Sequence, residues 1–191
     1  MKLREFMASD FAIPFKMLVN PIKILRSDIN GKLVGRSLCT AFISVLIAST
    51  FALAMDAELI QSEELSLVSI VSAGGLLFAV IFPLFVFALS TIVYTIGISI
   101  QNPHKKGDYS HYMRKQAVVY SSFLTATSLV NLMLFPIPQV QLFFGLLATL
   151  YFIFAMFTAY GSLKSVGMLR SCFTHGLIVF WSVVSHLIFT A

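Results

Sequence analysis

Residues 65–100, LSLVSIVSAGGLLFAVIFPLFVFALSTIVYTIGISI, run without a formal charge and carry Pro83 near their middle. A hydrocarbon core of about 30 Å is crossed by about 20 apolar helical residues. The run is therefore long for one crossing and short for two, and its flanks decide between them. Glu63 and Glu64 precede it, and Lys105 and Lys106 follow it. That asymmetry fits one crossing, because a turn at Pro83 would return both ends to the same side. The expectation is a single long helix, tilted or kinked at the proline.

Working outward, 58% of the side chains are hydrophobic and only 11% are charged, against roughly 25% charged in soluble domains. Long apolar runs leave almost no hydrophilic helix faces, so the chain reads as an integral membrane protein. The net charge of +5 comes from basic residues flanking apolar runs, where they act as topology signals and anionic-lipid contacts. No soluble basic module is present, and nucleic acid is not an expected partner. Cys39 and Cys172 are the two cysteines, each near the expected cytoplasmic end of a span, so a disulfide framework is not expected. The first long apolar run begins near Leu38, after a charged leader, and reads as a retained span rather than a cleavable signal.

The expected fold is all-α: a polytopic transmembrane bundle of five spans at about residues 38–55, 69–99, 117–134, 142–163 and 171–190. Phe135-Pro136-Ile137-Pro138 ends the third span, since prolines at alternate positions stop a regular helix. Seven basic residues precede span one, four lie between spans two and three, and two lie between spans four and five. These are all thirteen, and the other loops carry none. Cytoplasmic loops retain Lys and Arg, so the N-terminus is expected inside and the C-terminus outside. Tyr94, Tyr109, Tyr112, Tyr120 and Tyr160 fall near the same inner interface, as an aromatic belt would.

Residues 1–36 form an expected interfacial leader ahead of the membrane domain at 37–191. Asn20 can cap a helix opened by Pro21 and closed by Gly31. Ile22, Leu25 and Ile29 then share a face laid on lipid, while Lys23 and Arg26 reach phosphate headgroups. Lys105, Lys106, Arg114 and Lys115 in the next inner loop are further candidates for anionic lipid or an acidic partner.

No Asp, Glu, Lys or Arg falls inside an expected span, which argues against charge-coupled transport. Asn131, His175 and His186 are the candidate intramembrane polar residues. His175 and His186 lie on nearly one helical face, about three turns apart, too far to share a metal. Hydrogen bonding between helices is the favoured role of all three; a proton or solute path is the alternative. Gly74, Gly75 and Ala79 offer a small-residue surface for close helix approach. Four acids at Asp56, Glu58, Glu63 and Glu64 lack the pattern of a calcium loop. There is no nucleophile–base set, phosphate loop or paired-carboxylate site, so no catalytic residue, metal or cofactor is assigned.

The leader ending Leu18-Val19-Asn20-Pro21, the five spans, Ala117-Val118-Val119-Tyr120 opening a span that ends at Phe135-Pro136, and Thr158-Ala159-Tyr160 running through Gly161-Ser162-Leu163-Lys164 together resemble the Yip1 domain family of five-span membrane proteins. The resemblance covers most of the chain and rests on hydropathy and small-residue patterns. It implies a noncatalytic membrane scaffold or assembly factor that associates with itself or with other membrane proteins. Eukaryotic relatives act between endoplasmic reticulum and Golgi with prenylated Rab-type GTPases. The brief leader here is more similar to compact bacterial members, which implies a bacterial inner membrane, with the endoplasmic reticulum or Golgi as alternative. A small permease or lipid-handling component is the alternative function, motivated by Pro83, Asn131 and the His175/His186 face.

Overall fold

The computed structural model describes residues 9–59, 67–101, 108–134 and 138–190. Side chains from residue 55 to 80 and from 185 onward, with a few between, lie outside that description. Every element among the described residues is helical. A 3-10 turn at Asp10–Ala12 leads into α1 (Ile13–Val19), α2 (Pro21–Arg26), α3 (Gly31–Leu59), α4 (Leu67–Gln101), α5 (Asp108–Leu134), α6 (Pro138–Gly161) and α7 (Gly167–Thr190).

The deciding stretch is one helix: α4 continues through Pro83 without interruption. Three segments are long and apolar enough to cross a membrane, Gly31–Phe51, Pro83–Ile100 and Phe143–Gly161. Among the described residues there are five long helices, but only these three, against the five crossings expected, meet that test of length and composition.

Local chemistry sets the helix ends. Asn20 Oδ1 accepts from Lys23 N at 3.2 Å, and Pro21 occupies the first turn, where its missing N–H costs nothing. The helix that follows is shorter than expected, ending at Arg26, and Gly31 does not close it. Asn30 takes over as a second cap, accepting from Leu33 N at 2.8 Å, so Gly31 opens α3. The first long helix thus begins seven residues before the expected boundary at residue 38. Gly167, at φ +75°, supplies the left-handed turn between α6 and α7, a conformation costly for residues with a Cβ.

Packing centres on α5, which touches α1, α3, α4 and α6. From Lys115 to Thr125 every residue is buried, so three helical turns are enclosed on all sides. Yet this segment contains Lys115, Gln116, Ser121, Ser122 and Thr125. Its hydroxyls are satisfied from within: Ser122 Oγ donates to Val118 O at 2.8 Å and Thr125 Oγ1 to Ser121 O at 2.8 Å. Such back-bonding to the preceding turn removes the cost of burying a hydroxyl. Ser37 of α3 meets Ser121 of α5 hydroxyl to hydroxyl. Ser37, Ala41 and Val45, at four-residue spacing, form the buried stripe of α3, and Phe42, Ile43, Leu46 and Ile47 face outward. Small residues at the contact and large apolar ones outside suit a bilayer solvent rather than water.

The leader departs from expectation. It docks on the bundle, with Ala12, Met17, Leu25 and Ile29 fully buried and the last three joined to the same core as Val118, Phe123 and Phe152. Tyr151 donates its hydroxyl hydrogen to Met17 O, Thr40 Oγ1 donates to Phe11 O at 2.9 Å, and Arg36 pairs with Asp10. The spacing that would serve a lipid-facing stripe serves a core-facing one equally well, and here Leu25 and Ile29 turn inward while Ile22 is exposed. Each fully buried side chain contributes about 2 kcal/mol, enough to hold a short segment that could not persist alone.

Candidate functional site

The basic end of the bundle carries a polar and aromatic cluster built from four helices. Ser90 and Tyr94 come from α4, Tyr112, Lys115 and Gln116 from α5, Tyr160 from α6, and Thr174 and His175 from α7. All eight are buried. The positions on α4, 90 and 94, and on α5, 112 and 116, repeat at four residues, the spacing that stacks side chains on one helical face.

The rings form a chain. Tyr94 stacks on Tyr112 with centroids 6.0 Å apart, Tyr112 meets Tyr160 edge to face at 5.3 Å, and Tyr160 meets His175 edge to face at 5.9 Å. Phe157 completes the series, stacked on His175 at 3.9 Å. Offset and T-shaped arrangements align ring edges with ring faces and add to area burial. The tyrosines expected as an interfacial belt are therefore mostly interior: Tyr94, Tyr112, Tyr120 and Tyr160 are buried, and Tyr109 is exposed. Neighbouring helices cover the buried rings, and Tyr94, Tyr112 and Tyr160 pack on one another.

Lys115 sits beside this cluster with 1% of its surface exposed. Its Nζ donates to Ser162 Oγ at 2.8 Å and to Ser162 O at 3.3 Å, just past the C-terminus of α6, where the helix dipole favours a cation. Desolvation lowers its pKa to about 8, and the carboxylates of Asp28 and Asp108 oppose that shift. Asp108, opening α5, accepts from Ser165 in the α6–α7 turn. His111 faces the exposed Asp28 at 3.6 Å; burial and the Lys115 charge hold its pKa below the ordinary histidine value. These contacts gather the segment before α3, the first turns of α5 and the turn between α6 and α7 at one end of the bundle.

Three polar atoms in the cluster stand out: Tyr112 OH, Gln116 Oε1 and His175 Nε2 are buried and have no hydrogen-bond partner among the described residues. The Tyr112 phenol lies beside Ser90 and Gln116, but reaches hydrogen-bond geometry with neither. Burial pushes its pKa well above the usual phenol value. Gln116 Nε2 donates to Met156 O at 3.4 Å, which fixes its amide and leaves the carbonyl oxygen unused. His175 Nδ1 lies 2.8 Å from Ser171 O. A carbonyl only accepts, so Nδ1 carries the proton and Nε2 of the neutral ring is an acceptor.

Of the residues singled out by sequence, the structure brings His175 into this cluster, bonded within its own helix and stacked across to α6 rather than hydrogen-bonded between helices. Asn131 is remote from it, on an exposed side of α5, where the expectation was a helix–helix face. Lys115 is turned into the bundle and cannot contact headgroups as expected; Lys23, Arg26 and Arg114 are exposed. Lys105 and Lys106 lie outside the described residues, as do the side chains of Gly74, Gly75, Ala79 and His186, although those four belong to α4 and α7. A further small-residue contact among the described residues lies at Gly161, where a Cβ would come within 2.6 Å of Met168 Sδ and 3.1 Å of Met168 Cα. Among the described residues no three His, Cys, Asp or Glu side chains have a metal-holding arrangement. Tyr112 and Gln116 were missed by sequence reasoning, although their four-residue spacing at the start of a span was a readable signal. No family model, curated protein or solved structure matches the chain.

Proposed function

We propose that this chain is a noncatalytic integral membrane protein that crosses the bilayer five times and works as a scaffold or assembly factor of the Yip1-like kind. In this reading the basic end faces the cytoplasm of a bacterial cell and the exposed Lys23, Arg26 and Arg114 meet anionic headgroups. The observation that carries the reading is the filled centre. Residues 115–125 of α5 are enclosed on every side, and their hydroxyls are bonded to backbone carbonyls or to one another. A solute path needs polar groups that face a channel, whereas these groups face their own helix and its neighbours. What the bundle offers outward is apolar helix surface, the material of contacts with lipid or with other membrane helices.

A permease or lipid-handling role is the second reading, favoured by the three buried, unmatched polar atoms near His175. Purification from native membranes in mild detergent, followed by mass spectrometry of bound protein and lipid, separates the two. A stoichiometric protein partner is the expected result. Self-assembly with one enriched lipid or solute and no other protein would shift the assignment to transport. Topology is tested separately: a cysteine at position 58 should label only from outside the cell, and one at position 164 only from inside.

A further inference from the structure

We infer that the leader is a re-entrant element that dips into one leaflet, where Phe11, Val19 and Ile22 contact acyl chains and Lys23 and Arg26 reach the phosphates of the same leaflet. This rests on α6 being a membrane crossing, and not on the scaffold role.

Two helices gauge the depth of the leader independently. Phe143–Gly161 of α6 is long and apolar enough to cross a bilayer, and Tyr151, whose hydroxyl donates to Met17 O, stands near its middle. About ten residues of helix, or about 15 Å, separate Tyr151 from the end at Gly161. On α3, Thr40 Oγ1 donates to Phe11 O at 2.9 Å, about 14 Å along the helix from its start at Gly31. A hydrocarbon core is about 30 Å thick, so both contacts place α1 well below the headgroups. The chain rises on either side of it. Asp10 pairs with Arg36, nearer the start of α3, and Asp28 faces His111 at 3.6 Å, in the first turn of α5. That turn lies at the polar end, beyond Lys115 and its bond to Ser162.

Charge follows the dip. On its lower part Asp10 has Arg36, and Lys16 Nζ donates to Ser9 O at 3.0 Å, as charged groups held below headgroups find protein partners. Lys23 and Arg26 are exposed and stand on the rising arm, where long side chains reach the interface while their stems stay in apolar surroundings. Phe11, Val19 and Ile22 face away from the bundle, Val19 with 82% of its surface exposed. At that depth the surrounding medium is acyl chain, and the cations above match an anionic leaflet. An acidic protein segment would have to approach the same side chains through lipid.

The test uses the full chain in liposomes, with Trp181→Phe as background and one new tryptophan at a time, quenched by lipids brominated at successive chain positions. Val19→Trp and Ile22→Trp are outward positions that leave the core intact, and gel filtration checks that each variant is folded. Both should be quenched by bromine on the chains, Val19→Trp as deeply as Leu150→Trp beside Tyr151, and Ser27→Trp only by bromine nearest the headgroup. If Val19→Trp is quenched only near the headgroup or by aqueous acrylamide while Leu150→Trp is quenched deep, the leader lies on the surface and the proposal fails. If lipid does not quench Leu150→Trp either, α6 does not cross, and the membrane reading and the proposal fail together. The paired variant Lys23→Gln with Arg26→Gln should lose preference for anionic over zwitterionic lipid retained after detergent extraction; an unchanged preference overturns the phosphate contact.

Discussion

Helices α4 and α5 pack against each other and dispose of polarity in opposite ways. Helix α4 carries no formal charge anywhere along Leu67–Gln101 and presents Ile81, Leu84, Phe85, Ile92 and Ile98 to the outside. Its buried stripe among the described side chains is Val86, Ser90, Val93 and Tyr94, while Thr91, Thr95 and Ser99 lie on its exposed side with their hydroxyls bonded back to the preceding turn. Helix α5 is the least apolar of the five long helices and, among the described side chains, has the longest unbroken buried run, residues 115–125. In water the ranking would be reversed. In lipid, apolar side chains gain little by leaving the tails, and close packing with hydrogen bonding selects which helix occupies the centre. Apolar length therefore identifies a crossing segment, while hydroxyl content identifies the axis of the bundle.

The harshest way to break this contrast is Ser121→Leu. It overfills the contact with Ser37 and strands that hydroxyl, at a combined cost of about 4 kcal/mol, a large part of a typical domain's stability. Gel filtration in detergent should show loss of the monodisperse protein. The docked leader extends the enclosed core, so Leu25→Ala is expected to cost about 3 kcal/mol and to expose residues 13–26 to limited proteolysis. If cleavage there is unchanged, the leader does not belong to the core.

Lys115 sharpens the comparison through pH. Its folded pKa, about 8, lies below the reference value of 10.5, so between these values the unfolded chain binds more protons than the folded one. Stability should be level below about pH 8 and should rise by about 2 to 3 kcal/mol toward pH 10.5. Thermal unfolding in that window, compared with Lys115→Met, isolates the contribution: the variant should lack the rise. The smallest effect is expected on the outer face of α4, where Phe85→Ala should change stability by less than about 0.5 kcal/mol and leave gel filtration unaltered.

Helix α4 was legible because charges at its flanks and their absence between them are properties of the sequence alone. The helix starts were partly legible. Asn20-Pro21 reads correctly as a cap, but Gly31 fits the end of one helix as well as the start of the next, and the Asn30 cap decides it. The site was largely hidden. A lysine near the end of an apolar run has the same signature whether its ammonium reaches lipid phosphate or a buried serine, and only the arrival of Ser162 from α6 distinguishes them. Tyrosines near a span end were read as a belt for the same reason: their burial depends on three other helices. The leader face of Leu25 and Ile29 likewise fits two apolar surroundings, and periodicity cannot choose between them.

The bond from Tyr151 to the carbonyl of Met17 spans 134 residues, which gives the leader a role in time as well as in space. During synthesis its apolar side chains emerge first, while the helix that covers them emerges on the order of ten seconds later at ordinary translation rates. A nascent or truncated chain that stops short of α6 lacks the Tyr151 bond and the surface against which Pro21–Arg26 packs, while α1 already has α5 to pack on. Full docking of the leader thus waits until α6 has been made, so the first helices of the chain are among the last to reach their final surroundings.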